Sequence, residues 1–214
     1  MNKTMIFAAL LLASPAAMAA PDIGVQAGAG TLGLNFGVNY RINAFVGVGG
    51  AINNYTYSRD SDYKGVNYSA DLHLSSQMLV LNLYPFGGSF HVTGGWMHNG
   101  NYFALRGQPD ANGNYTFDGN TYSASQVGTV SARMDFKSSA TYLGIGWGGS
   151  GNWGLTFDLG VMRQGEPNFT LTASAAASNP QLASDVASQQ AQSQDDVSSF
   201  TWYPQVKLGL YVNF

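Results

Sequence analysis

Residues 31–42 alternate without a break. Leu32, Leu34, Phe36, Val38, Tyr40 and Ile42 fall on one side, and Gly33, Asn35, Gly37, Asn39 and Arg41 on the other. A period of two belongs to a strand, because successive side chains along an extended chain point to opposite faces. The period returns in Trp153, Leu155, Phe157, Leu159 and Val161 against Gly154, Thr156, Asp158 and Gly160. It returns again in Val206, Leu208, Leu210, Val212 and Phe214 against Lys207, Gly209, Tyr211 and Asn213. Residues 45–58, 67–84, 90–105 and 137–147 supply further strands. In the second of these, Tyr68, Ala70, Leu72, Leu74, Met78 and Val80 share a face opposite Ser69, Asp71, His73, Ser75 and Gln77. Leu79, Leu81 and Leu83 then blur the pattern, which leaves a bulge or a plugged lumen base open. An eighth strand is expected at 23–29, turning at Gly28–Gly30.

The connections order these strands. Short turns at 43–44, 85–89 and 148–152 alternate with long stretches at 59–66, 106–136 and 165–199. Short periplasmic turns and long extracellular loops are the habit of outer-membrane barrels. The expectation is therefore an all-β, closed antiparallel transmembrane β-barrel of about eight strands. Within the second loop, Asp118-Gly119 between Tyr115-Thr116-Phe117 and Thr121-Tyr122 predicts a protruding hairpin. Within the third, Asn179 as N-cap and Pro180 at the first helical position start a helix over 180–197, with Leu182, Val186 and Ala187 on one side. Its Ala, Ser and Gln content suits a solvated loop element; a lid, a plug or a recognition surface stay open. Aromatic residues mark two levels, Tyr40, Phe45, Tyr84, Phe90, Trp147, Trp153 and Phe214 at turn ends, and Tyr55, Tyr57, Tyr68, Tyr102, Trp202 and Tyr203 at loop ends. Two lipid–water interfaces select such rings.

Composition sharpens this picture. Charged residues are 10% of the chain, against about a quarter in soluble domains. Past the N-terminus, no run approaches the roughly 18 apolar residues of a membrane helix, so a closed barrel is the way for so polar a chain to span lipid. The N-terminus itself, with Lys3, an apolar run over 5–12 and Ala17-Met18-Ala19, reads as a signal peptide over 1–19 that leaves a barrel domain at 20–214. Without cysteine, the exported chain must hold together by its fold alone. The net charge is mildly acidic, −3, and no basic block invites nucleic acid.

The final strand, Val206, Leu208, Leu210, Val212 and Phe214, resembles the C-terminal signature by which bacterial outer-membrane barrels are read by their assembly machinery. Beyond it, Gly30-Thr31-Leu32-Gly33, Tyr84-Pro85-Phe86-Gly87-Gly88 and Tyr142-Leu143-Gly144-Ile145-Gly146-Trp147-Gly148 make the chain similar to a family of small proteobacterial outer-membrane proteins. That family is akin to the OmpA transmembrane domain and to the OmpX and OmpW barrels. The resemblance implies a place in the cell outer membrane, with outer-membrane lipid, lipopolysaccharide and the barrel-assembly machinery as partners. It implies no catalytic residue and no cofactor.

If the apolar stripes face lipid, Arg41, Asp71, His73, His91, Asp158 and Lys207 face inward. Charges in a narrow lumen should pair, and Asp71 or Asp158 with Lys207 or Arg41 is the economical arrangement. Such a network either plugs the barrel or gates a narrow pore for ions or small solutes. A conduit for small hydrophobes would instead need a lateral apolar opening. An embedded hydrolase would need a nucleophile beside Asp71 and His73, and no serine stands out as one. The single Glu166, the scattered aspartates and the three histidines show no metal-ligand spacing. The expected role is structural or surface interaction.

Overall fold

The computed structural model describes residues 22–63 and 66–214. The leader expected at 1–19 and the centre of the 59–66 connection lie outside the described residues. Among the described residues there are thirteen strands. Eight of them are β1 (Asp22–Gly30), β2 (Gly33–Arg41), β3 (Val46–Tyr63), β4 (Val66–Leu83), β5 (Phe90–Asn99), β10 (Ser139–Trp147), β11 (Trp153–Arg163) and β13 (Trp202–Asn213). They pair antiparallel in the order β1–β2–β3–β4–β5–β10–β11–β13, and β13 returns to β1, so the barrel is closed. The glycine-rich β1 completes the ring. At its seam with β13, a Cβ on Gly28 would lie 2.4 Å from the Leu208 carbonyl and 2.8 Å from the Gly209 Cα, so glycine is what lets these two strands close.

The barrel is inside out by the standard of a soluble protein. Leu34, Leu79, Leu155 and Leu208 are each at least 58% exposed, and Val206, Leu210, Val212 and Phe214 stand on the same outer wall. So broad an apolar surface is tolerated where lipid is the solvent. From Leu34 to Ile42 the outer face of β2 runs eight residue steps, roughly 27 Å along the strand. At the ~40° tilt usual in these barrels that stands about 20 Å high, near the ~25 Å apolar band of membrane barrels.

Two side assignments made from the pattern are corrected. Leu32 is not on the lipid stripe: Thr31 and Leu32 form the tight β1–β2 turn, and Leu32 folds into the lumen, 2% exposed. In β4 there is no bulge; its pairing with β3 runs unbroken from Val46↔Leu83 to Tyr63↔Val66. Leu79, Leu81 and Leu83 face lipid, whereas Leu74, Met78 and Tyr84 face inward and are buried. Both faces of β4 meet apolar surroundings, so alternation could not tell them apart. Tyr84 accordingly leaves the interfacial ring, in which Tyr40, Phe45, Trp147, Trp153 and Phe214 do stand exposed.

Above the rim the wall continues on one side. β3 and β4 extend past the last β2 pairing, Leu34↔Asn54, and the sheet is carried on by β6 (Tyr102–Gly107), β9 (Val130–Asp135) and β12 (Asn168–Ala173) in the order β4–β6–β9–β12. The expected hairpin is β7 (Asn114–Phe117) with β8 (Asn120–Ser123). Its Asp118-Gly119 turn takes positive φ at both residues, 47° and 81°, the twist a two-residue hairpin needs. A single turn, α1 (Ala124–Val127), and the long helix α2 (Pro180–Val197) complete the cap.

Candidate functional site

The lumen is built in two layers. The layer nearer the short turns is polar. Asp158 on β11 projects inward because Phe157 and Leu159 face lipid, and it meets His91 of β5 and Lys207 of β13. His91 Nε2 lies 3.1 Å from Asp158 Oδ1, and Lys207 Nζ lies 3.0 Å from Oδ2. The Thr156 hydroxyl donates to Oδ2 at 3.1 Å. The Asp158 and Lys207 side chains are only 11% and 12% exposed, so this is a buried ion pair whose charges are satisfied by each other.

Arg41 does something different from the ion pair expected of it. Its guanidinium donates to the carbonyls of Ala44, Gly87 and Gly88 at 2.9, 2.9 and 3.1 Å, reaches Gly149 at 3.4 Å, and lies over the Tyr84 ring at 4.0 Å. One planar fork therefore ties together all three short turns, a task suited to arginine's fixed set of five donors.

The upper layer is mixed: beside an apolar cluster lie the buried Asn35, Asn53, Ser76 and Gln205, with Asn35 Nδ2 donating to Asn53 Oδ1 at 2.8 Å and Asn53 Nδ2 to Ser76 Oγ at 3.0 Å. Leu32, Met78, Met97, Ala140, Tyr142 and Met162 form one cluster across the bore, with Met97 and Met162 fully buried. Methionine fills irregular gaps well because it is unbranched and flexible. The lumen cavity between Arg41, Asn82, His91, Asp158 and Lys207 holds about 70 Å³, room for a few waters and far below the ~300 Å³ of small-ligand pockets.

Asp71 and His73 are not in the lumen. The β4 register places them beyond the rim, on the outer side of the sheet extension: they pair with Ala104 and Tyr102 of β6. The His73 ring stacks on Tyr102 at 4.8 Å, with Nδ1 3.1 Å from the Thr56 hydroxyl. Tyr102 is covered on a further side by Arg133, 3.7 Å from its centroid. Of the six inward candidates, the structure brings together His91, Asp158 and Lys207, sets Arg41 among the turns beside them, and removes Asp71 and His73.

The cap has its own core. Phe117 and Tyr122 of the hairpin, Val127, Val130, Ala173, and Leu182 and Val186 of α2 pack together. Asn179 accepts from the Leu182 amide at 3.2 Å, the N-cap bond expected from sequence. Ala187, grouped with Leu182 and Val186 in the sequence, is exposed. Under the hairpin the buried Asp185 accepts from the Tyr122 hydroxyl, from Asn120 Nδ2 at 2.8 Å and from Gln181 Nε2 at 2.9 Å. The Tyr122 bond, first among the causes, holds the Asp185 carboxyl below its usual range. The same bond, with burial behind it, pushes the Tyr122 phenol up to about 12.

Helix α2 also solves an edge problem. β12 ends the extension, and its outward amides would be unpaired. Gln190 Oε1 accepts from Leu171 N at 2.9 Å and Gln194 Oε1 from Phe169 N at 2.7 Å. The spacing matches: four residues of helix advance about 6 Å and two residues of strand about 6.6 Å. These glutamines were passed over in the sequence, where a Gln-rich helix is simply polar; only their i, i+4 spacing hinted at a shared partner.

No protein-family model and no curated protein matches the chain. Among solved structures, the fold is similar to that of Acinetobacter baumannii CarO2, at 21% identity, covering 92% of this chain and 100% of that one, with a TM-score of 0.61. CarO of the same organism is similar at 21% identity over 89% of this chain and 97% of that one, with a TM-score of 0.56. The chain thus has the fold of a small eight-stranded outer-membrane β-barrel.

Proposed function

We propose that the protein is an integral outer-membrane barrel that conducts nothing, and that it holds a folded platform at the cell surface for structural or interaction purposes. The observation that carries this reading is the filled bore: a plug of Met97, Met162, Leu32 and Tyr142 stands over a paired Asp158 and Lys207, beside a lumen cavity of about 70 Å³. What the barrel holds out is ordered. The extension sheet, the hairpin and α2 share a core, and residues 55–59 of β3 leave an exposed edge with Tyr55 and Tyr57 on it. A bare, β-prone edge above the membrane suits contact with other molecules.

Planar-bilayer recording of the refolded protein tests this. No stepwise current is expected from the parent or from Lys207→Ala, because the plug lies above the ion pair and does not depend on it. Reproducible channels in the parent would overturn the reading in favour of a narrow pore gated by the lumen charges.

A further inference from the structure

We propose that the bare edge of β3 above the rim is a docking strip for an extended polypeptide segment of another protein, which joins the extension sheet as an added strand. The proposal rests on the reading of the barrel as a surface platform and names the partner of that platform. A backbone feature opens the edge. β2 follows β3 only as far as Leu34↔Asn54; at Gly33 a φ of 91° turns the chain away, and Leu32 drops into the lumen. β3 runs on to Tyr63, held on its other side by an unbroken ladder to β4. Residues 54–59 are all exposed, and among the described residues no strand pairs with β3 on the open side beyond Asn54.

The two edges of the extension are treated differently. At β12 the glutamines of α2 accept from the amides of Phe169 and Leu171. At β3 the stretch Tyr55-Thr56-Tyr57-Ser58-Arg59 has neither proline nor lysine and no bulge, with one charge at its far end, so it lacks most of the devices by which sheets discourage added strands. Tyrosine and threonine favour the extended chain. Along β3 the outward residues change from Val48 and Ile52 to Asn54, Thr56 and Ser58, which sets the strip above the acyl chains. A row of backbone N–H and C=O groups repeating every two residues, about 6.8 Å, is matched by another extended backbone. That repeat selects polypeptide over lipid or sugar.

The register also defines the chemistry of the segment. Tyr57 pairs with Leu72, Leu72 with Phe103, Phe103 with Met134 and Met134 with Phe169, so one apolar rung crosses the concave face of the extension and ends at Tyr57. Tyr55 stands on the same face beside the buried Leu74, and Thr56 and Ser58 point the other way. The segment that fits sets apolar residues beside Tyr55 and Tyr57 and polar ones beside Thr56 and Ser58, because cross-strand neighbours on one face are what stabilise a sheet. A second copy of the chain does not fit. Two barrels in one membrane share their up direction, and with strands tilted ~40° from the normal a two-fold axis along that normal crosses their edges at about 80°, against the ~20–25° between paired strands.

The test uses the full barrel in nanodiscs and a soluble nine-residue peptide that alternates threonine and valine between terminal lysines. Its twin is N-methylated at every residue, which keeps the side chains and removes the backbone donors. Residue-resolved hydrogen exchange of the free barrel should be fast at alternate amides of 55–59. The peptide should slow those amides at least tenfold, and the twin should leave them unchanged. Tyr55→Ser with Tyr57→Ser, two exposed positions, should weaken peptide binding at least tenfold, with heat-modifiability on a gel confirming the fold. Equal binding of the twin, protection elsewhere than 55–59, or no protection at all would overturn the proposal. So would edge amides already slow in the free barrel, since a second copy or the chain itself would then cover the strip. Bilayer recording separates this inference from the reading beneath it: stepwise current with the protection intact counts against the sealed platform alone, and a silent membrane without protection counts against the docking strip alone.

Discussion

Replacing Lys207 by Met tests whether the lumen is a satisfied structural network. The side chain is 12% exposed and its ammonium lies 3.0 Å from a carboxylate that is itself 11% exposed. At an effective dielectric of about 20, two unit charges 3 Å apart attract by roughly 5.5 kcal/mol. Desolvation already spent on both ions offsets much of that. The remaining loss is dominated by Asp158, left buried with only His91 and Thr156, and removing one partner of a buried pair costs about 3–5 kcal/mol. Taking 3 kcal/mol and a urea slope of about 2 kcal/mol/M, the unfolding midpoint should fall by about 1.5 M. Tryptophan fluorescence in lipid vesicles, following four tryptophans, gives the midpoint. The double variant Asp158→Asn, Lys207→Met leaves no buried ion and should recover most of the loss. A single variant as stable as the parent, or a double variant no better than the single, would refute the pairing argument.

Three other outcomes are expected. Arg41→Lys keeps the charge but loses the fork that joins the three short turns; it should cost about 2 kcal/mol, the scale of a charged hydrogen bond, read from the same urea curves. Gln190→Ala with Gln194→Ala leaves the amides of Phe169 and Leu171 without partners, and hydrogen exchange there should quicken several-fold, about 1 kcal/mol per bond, while the barrel strands stay protected. The cap should respond to pH from both ends. The stability that Tyr122 contributes is complete below pH 10 and lost as pH rises through about 12. The Asp185 carboxyl is held low, so its contribution is present above the ordinary carboxylate range and lost as pH falls through that lowered value. Ultraviolet titration should show one late-titrating phenol fewer in Asp185→Asn than in the parent, and proteolysis of the 106–136 loop should accelerate only at the two extremes.

The role of each lumen residue depended on how far it could be read locally. His91, Asp158 and Lys207 were legible as inward residues because each sits between lipid-facing neighbours on a cleanly alternating strand. Asp71 and His73 were misplaced because β4 is apolar on both faces, one toward lipid and the other toward the plug and the concave side of the extension. Arg41 was rightly placed inside, yet its partners are backbone carbonyls of turns up to about a hundred residues away in sequence, and carbonyls carry no sequence signature.

Taken alone, the amino-acid order determined the barrel, its eight strands, the alternation of short turns with long loops, the hairpin at Asp118-Gly119 and the capped helix from Asn179. Each follows from local rules: a two-residue period against a greasy solvent, turn chemistry, and helix capping. Closure of the bore was decided only in three dimensions. Met97, Met162 and Leu32 meet because β5, β11 and the β1–β2 turn face one another across the cylinder, and contacts across a lumen depend on the register of every strand between them.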